Sequence, residues 1–305
     1  MSYNSFQKVI KDITDLKIQG AEAVSQEGIK ALKLIIHTSK ALTINGFLVE
    51  MEKARKQLIA TRPTEPYLRN SLNSIYNNWQ SEDLRKLKEE IFSKIQQTLK
   101  SMQQSRKQIV DVGTKKIKKG MIVFTHCHSS TVVDILVNAK KQKKNFTVHN
   151  TETRPRLQGR KTARELGAAG IKVRHYVDSA VRLALKKADI MLIGADAITS
   201  EGRVINKIGS ELFAEVARRY DVPVYICTNS WKFDPKTIFG FTEEIEERDT
   251  KEIWKRYPKN VVIDNHAFEI INPELITGVI TELGIYEPRV LVEEIKKQYP
   301  WMIQK

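Results

Sequence analysis

Cysteine is scarce in this chain. Cys127 and Cys227 are the only two in 305 residues, too few for a disulfide framework and outside any Cys-x-x-Cys spacing that would mark a metal site. A reducing compartment is the expectation. Long apolar runs are also lacking: no stretch approaches the roughly 18 residues needed to span a bilayer, and residues 1–10 carry no apolar signal core. Secretion and membrane insertion are therefore not expected, and a cytoplasmic location is. Acidic charge is the third shortfall, with 36 Asp plus Glu against 51 Lys plus Arg and a formal net charge of +15. That surplus favours anionic partners, either nucleic acid or phosphorylated small molecules. No aromatic residue interleaves with the lysine runs at 115–119 and 140–144, so these read as solvated surface and nucleic acid is the weaker candidate. No internal repeat or low-complexity linker interrupts the chain. The Lys-, Glu- and Ile-rich usage fits a protein from a hot organism.

What is present points to two cores. Hydrophobic residues make up 41% of the chain, sufficient for two domains of this length. From residue 3 to about 110 they recur at helical spacing, as in Ile29, Leu32, Ile35 and Ile36, then Leu84, Leu87, Ile91, Ile95 and Leu99. Ser81 is the expected N-cap of a last long helix running to about 112. Beyond Gly120, short apolar runs alternate with amphipathic stretches, the pattern of βαβ units. Strands are expected at 121–125, 146–150, 172–177, 190–194, 224–227 and 261–263, and helices at 131–140, 161–168, 181–186 and 207–219. The fold class is therefore α/β: a helical N-terminal domain at 1–112, followed by a Rossmann-like parallel-sheet domain at 113–305.

Ligands of such sheets bind outside the carboxyl ends of the strands, so the residues following each strand carry the chemistry. Cys127 precedes Ser129, Ser130 and Thr131 at a helix start, where backbone N–H groups lower a thiol's pKa. It reads either as a thiolate base or nucleophile, or as a small buried hydrophobe. His126 and His128 flank it, but a zinc site would need a third ligand that no spacing supplies, so no metal is expected. Asp196, beside Gly194 and Ala195, reads either as a partly desolvated general acid or as a helix cap or turn residue. Asn206 and Lys207, expected to open a helix with Gly209 and Ser210, suit a phosphate. Arg154, Arg156 and Arg160 suit one too, or form a solvated basic loop.

These segments, together with Ile18-Gln19-Gly20-Ala21, Thr61-Arg62-Pro63-Thr64, Trp231-Lys232-Phe233 and Ile280-Thr281-Glu282-Leu283-Gly284, resemble the superfamily that unites the alpha, beta and delta subunits of initiation factor two-B with sugar-phosphate isomerases. Within it the chain is most similar to the ribose-1,5-bisphosphate isomerases of archaea. The resemblance implies an intramolecular oxidoreductase of AMP metabolism, an aldose–ketose isomerase in which Cys127 takes a proton from carbon 2 and Asp196 protonates a sugar oxygen. It carries substrate-binding roles onto Gly20, Ala21, Arg62, Ser129, Asn206, Lys207 and Lys232. It implies no cofactor, and a homo-oligomer, either dimer or hexamer.

The chain departs from the isomerase pattern at three places. Gln19 stands where an Arg is typical, Glu22 where a Gly is, and Ser130 where a Lys is common. Each lost charge-assisted contact weakens a phosphate site by about 1–3 kcal/mol. The resemblance thus implies two functions: the isomerase, favoured by Cys127 with Asp196, and a non-catalytic regulatory subunit that binds a nucleotide or sugar phosphate and a translation initiation factor.

Overall fold

The computed structural model describes residues 3–76, 79–241 and 245–303. The chain divides into two compact units, Met1–Gln104 with Tyr299–Lys305, and Ser105–Gln298.

Helices fill the first unit: α1 (Tyr3–Thr14), α2 (Ala21–Thr38), α3 (Ile44–Thr61), α4 (Pro66–Tyr76) and the start of α5 (Leu84–Lys116). Their apolar stripes face inward. Phe6 and Ile13 on α1, Ile29 and Leu32 on α2, and Leu68 and Leu72 on α4 are all fully buried, each such burial being worth about 1.5–3 kcal/mol. Gly28 lets α2 and α4 approach closely, because a Cβ there would lie 2.8 Å from Leu68 Cδ1. Two helix starts are capped by short polar side chains. Thr43 Oγ1 accepts the Gly46 N–H at 3.2 Å ahead of α3. For α5 the cap is Asp83, not the expected Ser81, since Asp83 Oδ1 accepts the Lys86 N–H at 2.8 Å. The helix also runs past the expected end near 112, to Lys116. Residues 84–104 of α5 lie in the first unit and 105–116 in the second, so the units part within this helix, while residues 299–305 belong to the first.

The second unit alternates strands and helices: β1 (Ile122–Thr125), α6 (Ser130–Lys141), β2 (Thr147–Thr151), α7 (Gln158–Ala168), β3 (Lys172–Tyr176), α8 (Val181–Leu185), β4 (Ile190–Ile193), β5 (Ala197–Ile198), β6 (Val204–Lys207), α9 (Ser210–Arg219), β7 (Val224–Cys227), β8 (Phe268–Ile271), β9 (Gly278–Thr281), β10 (Gly284–Tyr286) and α10 (Pro288–Gln298). Seven strands form one sheet in the order β10-β9-β7-β4-β1-β2-β3. All its pairs are parallel except β10 with β9. The inner strands read as continuous apolar runs because helices cover both faces, and every residue of β4 and β9 is buried. Cys227, at the end of β7, belongs to this core with Val123, Ile135, Leu192 and Ile280.

Two expectations fail here. No strand forms at 261–263, where Val262 is 87% exposed. The helix expected from 207 starts only at Ser210, because Asn206 and Lys207 end β6 and Gly209 turns the chain at φ 98°. That strand is the centre of a small antiparallel sheet, β5-β6-β8, which the periodicity did not reveal. Among the described residues no helix is long and apolar enough to cross a membrane.

Gly159, in the first turn of α7, holds the β2–α7 loop against its strand. A Cβ there would lie 1.7 Å from the Thr151 carbonyl oxygen, a backbone atom that cannot yield. Gly159→Ala is expected to cost about 3 kcal/mol or more, measured as the shift in a denaturant midpoint. A midpoint unchanged from the parent would contradict this packing.

Candidate active site

In the large sheet the strand order reverses between β1 and β4: β2 and β3 extend to one side, β4 leads to β7 and β9 on the other. A crevice opens at such a switch point, outside the carboxyl ends of the strands. Cys127 follows β1 there and Asp196 follows β4.

Cys127 has φ 64°, a conformation costly for a non-glycine residue. It is held on both sides: its N–H donates to Thr153 Oγ1 at 3.0 Å, and its carbonyl accepts from Thr162 Oγ1 at 2.8 Å. Thr153 is itself fixed by Asp178, whose carboxylate accepts the N–H groups of Thr153 at 2.8 Å and Arg154 at 2.6 Å. Ser129 caps α6, its Oγ accepting the Val132 N–H at 3.4 Å. The helix start does not give the expected low thiol pKa. Burial pushes the Cys127 thiol up to about 11, opposed first by the Lys207 charge and then by the His128 backbone N–H. The free protein therefore carries a thiol at neutral pH.

The histidines beside Cys127 serve the scaffold. His126 is buried, with Nδ1 2.6 Å from Thr151 Oγ1 and Nε2 2.9 Å from the Ile208 carbonyl. That carbonyl can only accept, so Nε2 carries the proton, and burial holds the ring neutral by lowering its pKa to about 4. His128 Nδ1 lies 3.1 Å from Thr162 Oγ1. Among the described residues no group of three His, Cys, Asp or Glu could hold a metal ion.

Asp196 caps no helix. It sits between β4 and β5, half-buried, and its N–H donates to the Ile205 carbonyl at 2.8 Å. Gly194 before it is obligatory for a close approach, because a Cβ would lie 2.9 Å from both Cβ and Oγ of Ser129. Lys207 arrives from the small sheet and is 7% exposed. Burial lowers the pKa of its ammonium, opposed by Cys127 when ionised and by Asp196, with Arg248 and Glu246 acting in opposite senses. Among the described residues no hydrogen bond or ion pair reaches its Nζ, which lies 4.4 Å from the centroid of the Phe268 ring. Lys232, in the turn after β7, donates from Nζ to the Ala195 carbonyl beside Asp196. Asn206 donates to Ser210 Oγ at 2.9 Å.

Six of the residues singled out in the sequence, Cys127, Ser129, Asp196, Asn206, Lys207 and Lys232, thus lie on the carboxyl-edge loops of the second unit or on the small sheet beside them. The remaining three are in the first unit. Gly20 precedes α2 with φ 86° and no side-chain cap, Ala21 begins that helix, and Arg62 ends α3.

Two anion sites expected from the sequence are filled by the chain's own groups. The N-terminus of α9 is closed by Glu269, whose Oε1 accepts the Glu211 N–H at 2.7 Å. Arg156 pairs with Glu252 at 3.0 Å and Arg160 with Glu152 at 2.9 Å, while Arg154 reaches the Ile253 carbonyl at 3.4 Å. Sequence reasoning missed Phe268, Glu269, Glu246 and Arg248. Only the pairing of β8 with β6 sets Phe268 opposite Lys207 and Glu269 opposite Asn206, and no local pattern announces that pairing.

Comparison with known proteins agrees with this architecture. The model of the initiation factor 2 subunit family matches residues 17–288. The ribose 1,5-bisphosphate isomerase of Thermococcus kodakarensis is 34% identical over 97% of this chain and 95% of its own length. The crystal structure of translation initiation factor eIF-2B from Pyrococcus horikoshii superposes with a TM-score of 0.82 at 27% identity, covering 96% of this chain and 100% of that one. That of 5-methylthioribose 1-phosphate isomerase from the same organism gives 0.78 at 25% identity, covering 96% and 88%. With most of its length matched, the chain belongs to the initiation factor 2 subunit family.

Proposed function

We propose that this chain is an aldose–ketose isomerase that converts ribose-1,5-bisphosphate to ribulose-1,5-bisphosphate. The observation that carries the reading is the grouping, at the switch point of a parallel sheet, of a thiol and a carboxyl with the buried Lys207 ammonium of the small sheet beside it, which has no ion-pair partner among the described residues. A relative named ribose 1,5-bisphosphate isomerase, at 34% identity over nearly the full length, supports the same activity.

The reaction moves hydrogen within one molecule. Cys127 Sγ, in its thiolate form, takes the proton from carbon 2 while the bond from carbon 1 to the ring oxygen breaks, and the Asp196 carboxyl, in its protonated form, gives that oxygen a proton. The electron pair of the C–H bond becomes the double bond of a phosphoenol. Loss of the carbon-2 hydroxyl proton and gain of a proton at carbon 1 then give the ketone, so atoms and electrons balance with no external oxidant. Lys207 and Lys232 supply charge for phosphate, and Ser129 and Asn206 supply hydrogen bonds.

A second reading, a non-catalytic regulatory subunit that meets a translation factor, draws support from Glu22. Its carboxylate stands in the first turn of α2, directly after the backbone that would meet a phosphate.

Incubation of purified protein with ribose-1,5-bisphosphate is expected to yield ribulose-1,5-bisphosphate. Cys127→Ser and Asp196→Asn should each lower kcat about 10²–10⁴-fold, the usual contribution of a positioned proton donor or acceptor. No turnover in the parent chain would favour the regulatory reading and move the search to partner binding.

The pH dependence follows from the thiol. With its pKa raised to about 11, the thiolate fraction grows about tenfold per pH unit below that value. In Asp196→Asn, where no acid titrates at that position, the residual kcat/KM reports this ionisation of the free enzyme and should still be rising between about pH 8 and 10. A plateau already reached by pH 8 would mean that a group other than Cys127 is the base.

A further inference from the structure

Lys207 is buried, and among the described residues no hydrogen bond or ion pair reaches its Nζ. It has two neighbours on its own strand pair that the mechanism above does not use. In the antiparallel register of β6 with β8, Lys207 stands opposite Phe268 and Asn206 opposite Glu269. The ladder continues through Ile205 with Ile270 and Val204 with Ile271, which are apolar and anchor the pair in the core. Glu269 ties the same strand to the start of α9 through the Glu211 N–H at 2.7 Å; burial raises its pKa, opposed by the backbone N–H groups of Glu211, Gly209 and Ser210. Phe268 therefore has a fixed place, and its ring lies under the lysine with Nζ 4.4 Å from the centroid.

A lysine side chain has four rotatable carbon bonds and a strong preference for water. Left alone on an edge it would extend toward solvent. An aromatic face attracts an ammonium through its quadrupole, more strongly as water is excluded, and at 7% exposure little water remains here. Closer carboxylate pairing would neutralise the charge; the ring holds it in place and leaves it available to an anion.

We propose that Phe268 is a positioning residue, whose ring holds the Lys207 ammonium beside Cys127 and Asp196 so that one cation serves both the thiol and a substrate phosphate. The phosphate half rests on the isomerase reading, whereas the thiol half does not.

The thiol half is tested without substrate. Iodoacetamide reacts with the thiolate, so the rate of Cys127 alkylation against pH follows its ionisation, and Cys227, buried in the core, reports any unfolding in the same sample. Phe268→Leu removes the ring and keeps the bulk. It is expected to slow Cys127 alkylation at pH 9 on the order of three- to tenfold, as retreat of a neighbouring positive charge raises a thiol's pKa. Phe268→Tyr keeps the aromatic face and should stay near the parent rate. Lys207→Met sets the largest slowing to be expected, and Cys227 should remain unlabelled throughout. An unchanged Cys127 profile in Phe268→Leu, while Lys207→Met shifts it, would overturn the proposal. So would equal slowing in the Leu and Tyr variants, which would make packing the cause. A mere loss of fold would expose both cysteines and speed their labelling, the opposite of the expected result.

The phosphate half is read from kinetics. Phe268→Leu should raise KM for ribose-1,5-bisphosphate several-fold more than Phe268→Tyr does. Turnover absent from the parent chain would end the substrate reading while leaving the alkylation result to decide the role of Phe268.

Discussion

A lysine ammonium kept from water with no carboxylate at ion-pair distance is costly, and among the described residues Lys207 is held in that way. Lys207 ends β6, is 7% exposed, and has its Nζ 4.4 Å from the centroid of the Phe268 ring. Burial pushes its pKa down, and Asp196, together with Cys127 once it ionises, opposes that shift. The same coupling acts on the thiol, where Lys207 is the largest influence against desolvation. Neither group can change its ionisation without moving the other's. An anionic ligand placed against this cation would meet a charge already stripped of much of its hydration, a condition that strengthens electrostatic contact.

The chain brings these groups together with two sheets of different kinds. The parallel sheet delivers Cys127 and Asp196 to either side of its switch point through the ordinary consequence of strand order. The small antiparallel sheet then crosses in from the loop after β4, so that β6 can carry Asn206 and Lys207 to the same edge. Close approach depends on residues without side chains: Gly194 leaves room for Ser129, and Gly159 leaves room for the Thr151 carbonyl. The backbone at Cys127 and Thr153 is held with positive φ, and the hydrogen bonds from Thr153, Thr162 and Asp178 over-determine that geometry. Conformational cost at Cys127 is met in this way by polar contacts from neighbouring loops.

Helix N-termini show how a sound local inference can be overtaken. An anion at the start of α9 was a reasonable expectation, and an anion is there, but it is the chain's own Glu269. A helix terminus is satisfied by whichever acceptor the fold brings nearest. Cys127 illustrates the same limit. Its place before α6 suggests a stabilised thiolate, yet enclosure outweighs the helix and burial raises the pKa. Local sequence names the favourable influence; the surrounding packing sets its sign.

What could be read directly from the residues was whatever repeats at short range. The 3.6-residue spacing of apolar side chains marked the first-unit helices, and the alternation of runs such as Ile190–Ile193 with amphipathic segments marked the parallel sheet and hence the edge where chemistry gathers. The motif resemblance named Cys127, Asp196, Lys207 and Lys232 without showing how they meet. Helix ends were less legible, because Ser81 and Asp83 can each cap and only geometry chooses between them. The small sheet was not legible at all. Two residues of β5 show no period, and the Phe268-Glu269 pair has meaning only opposite Asn206 and Lys207. Secondary structure follows from contacts a few residues apart, which a sequence displays; the ionisation of Cys127 and the seat of Lys207 follow from groups some 60–80 positions away, which only the folded chain brings within reach.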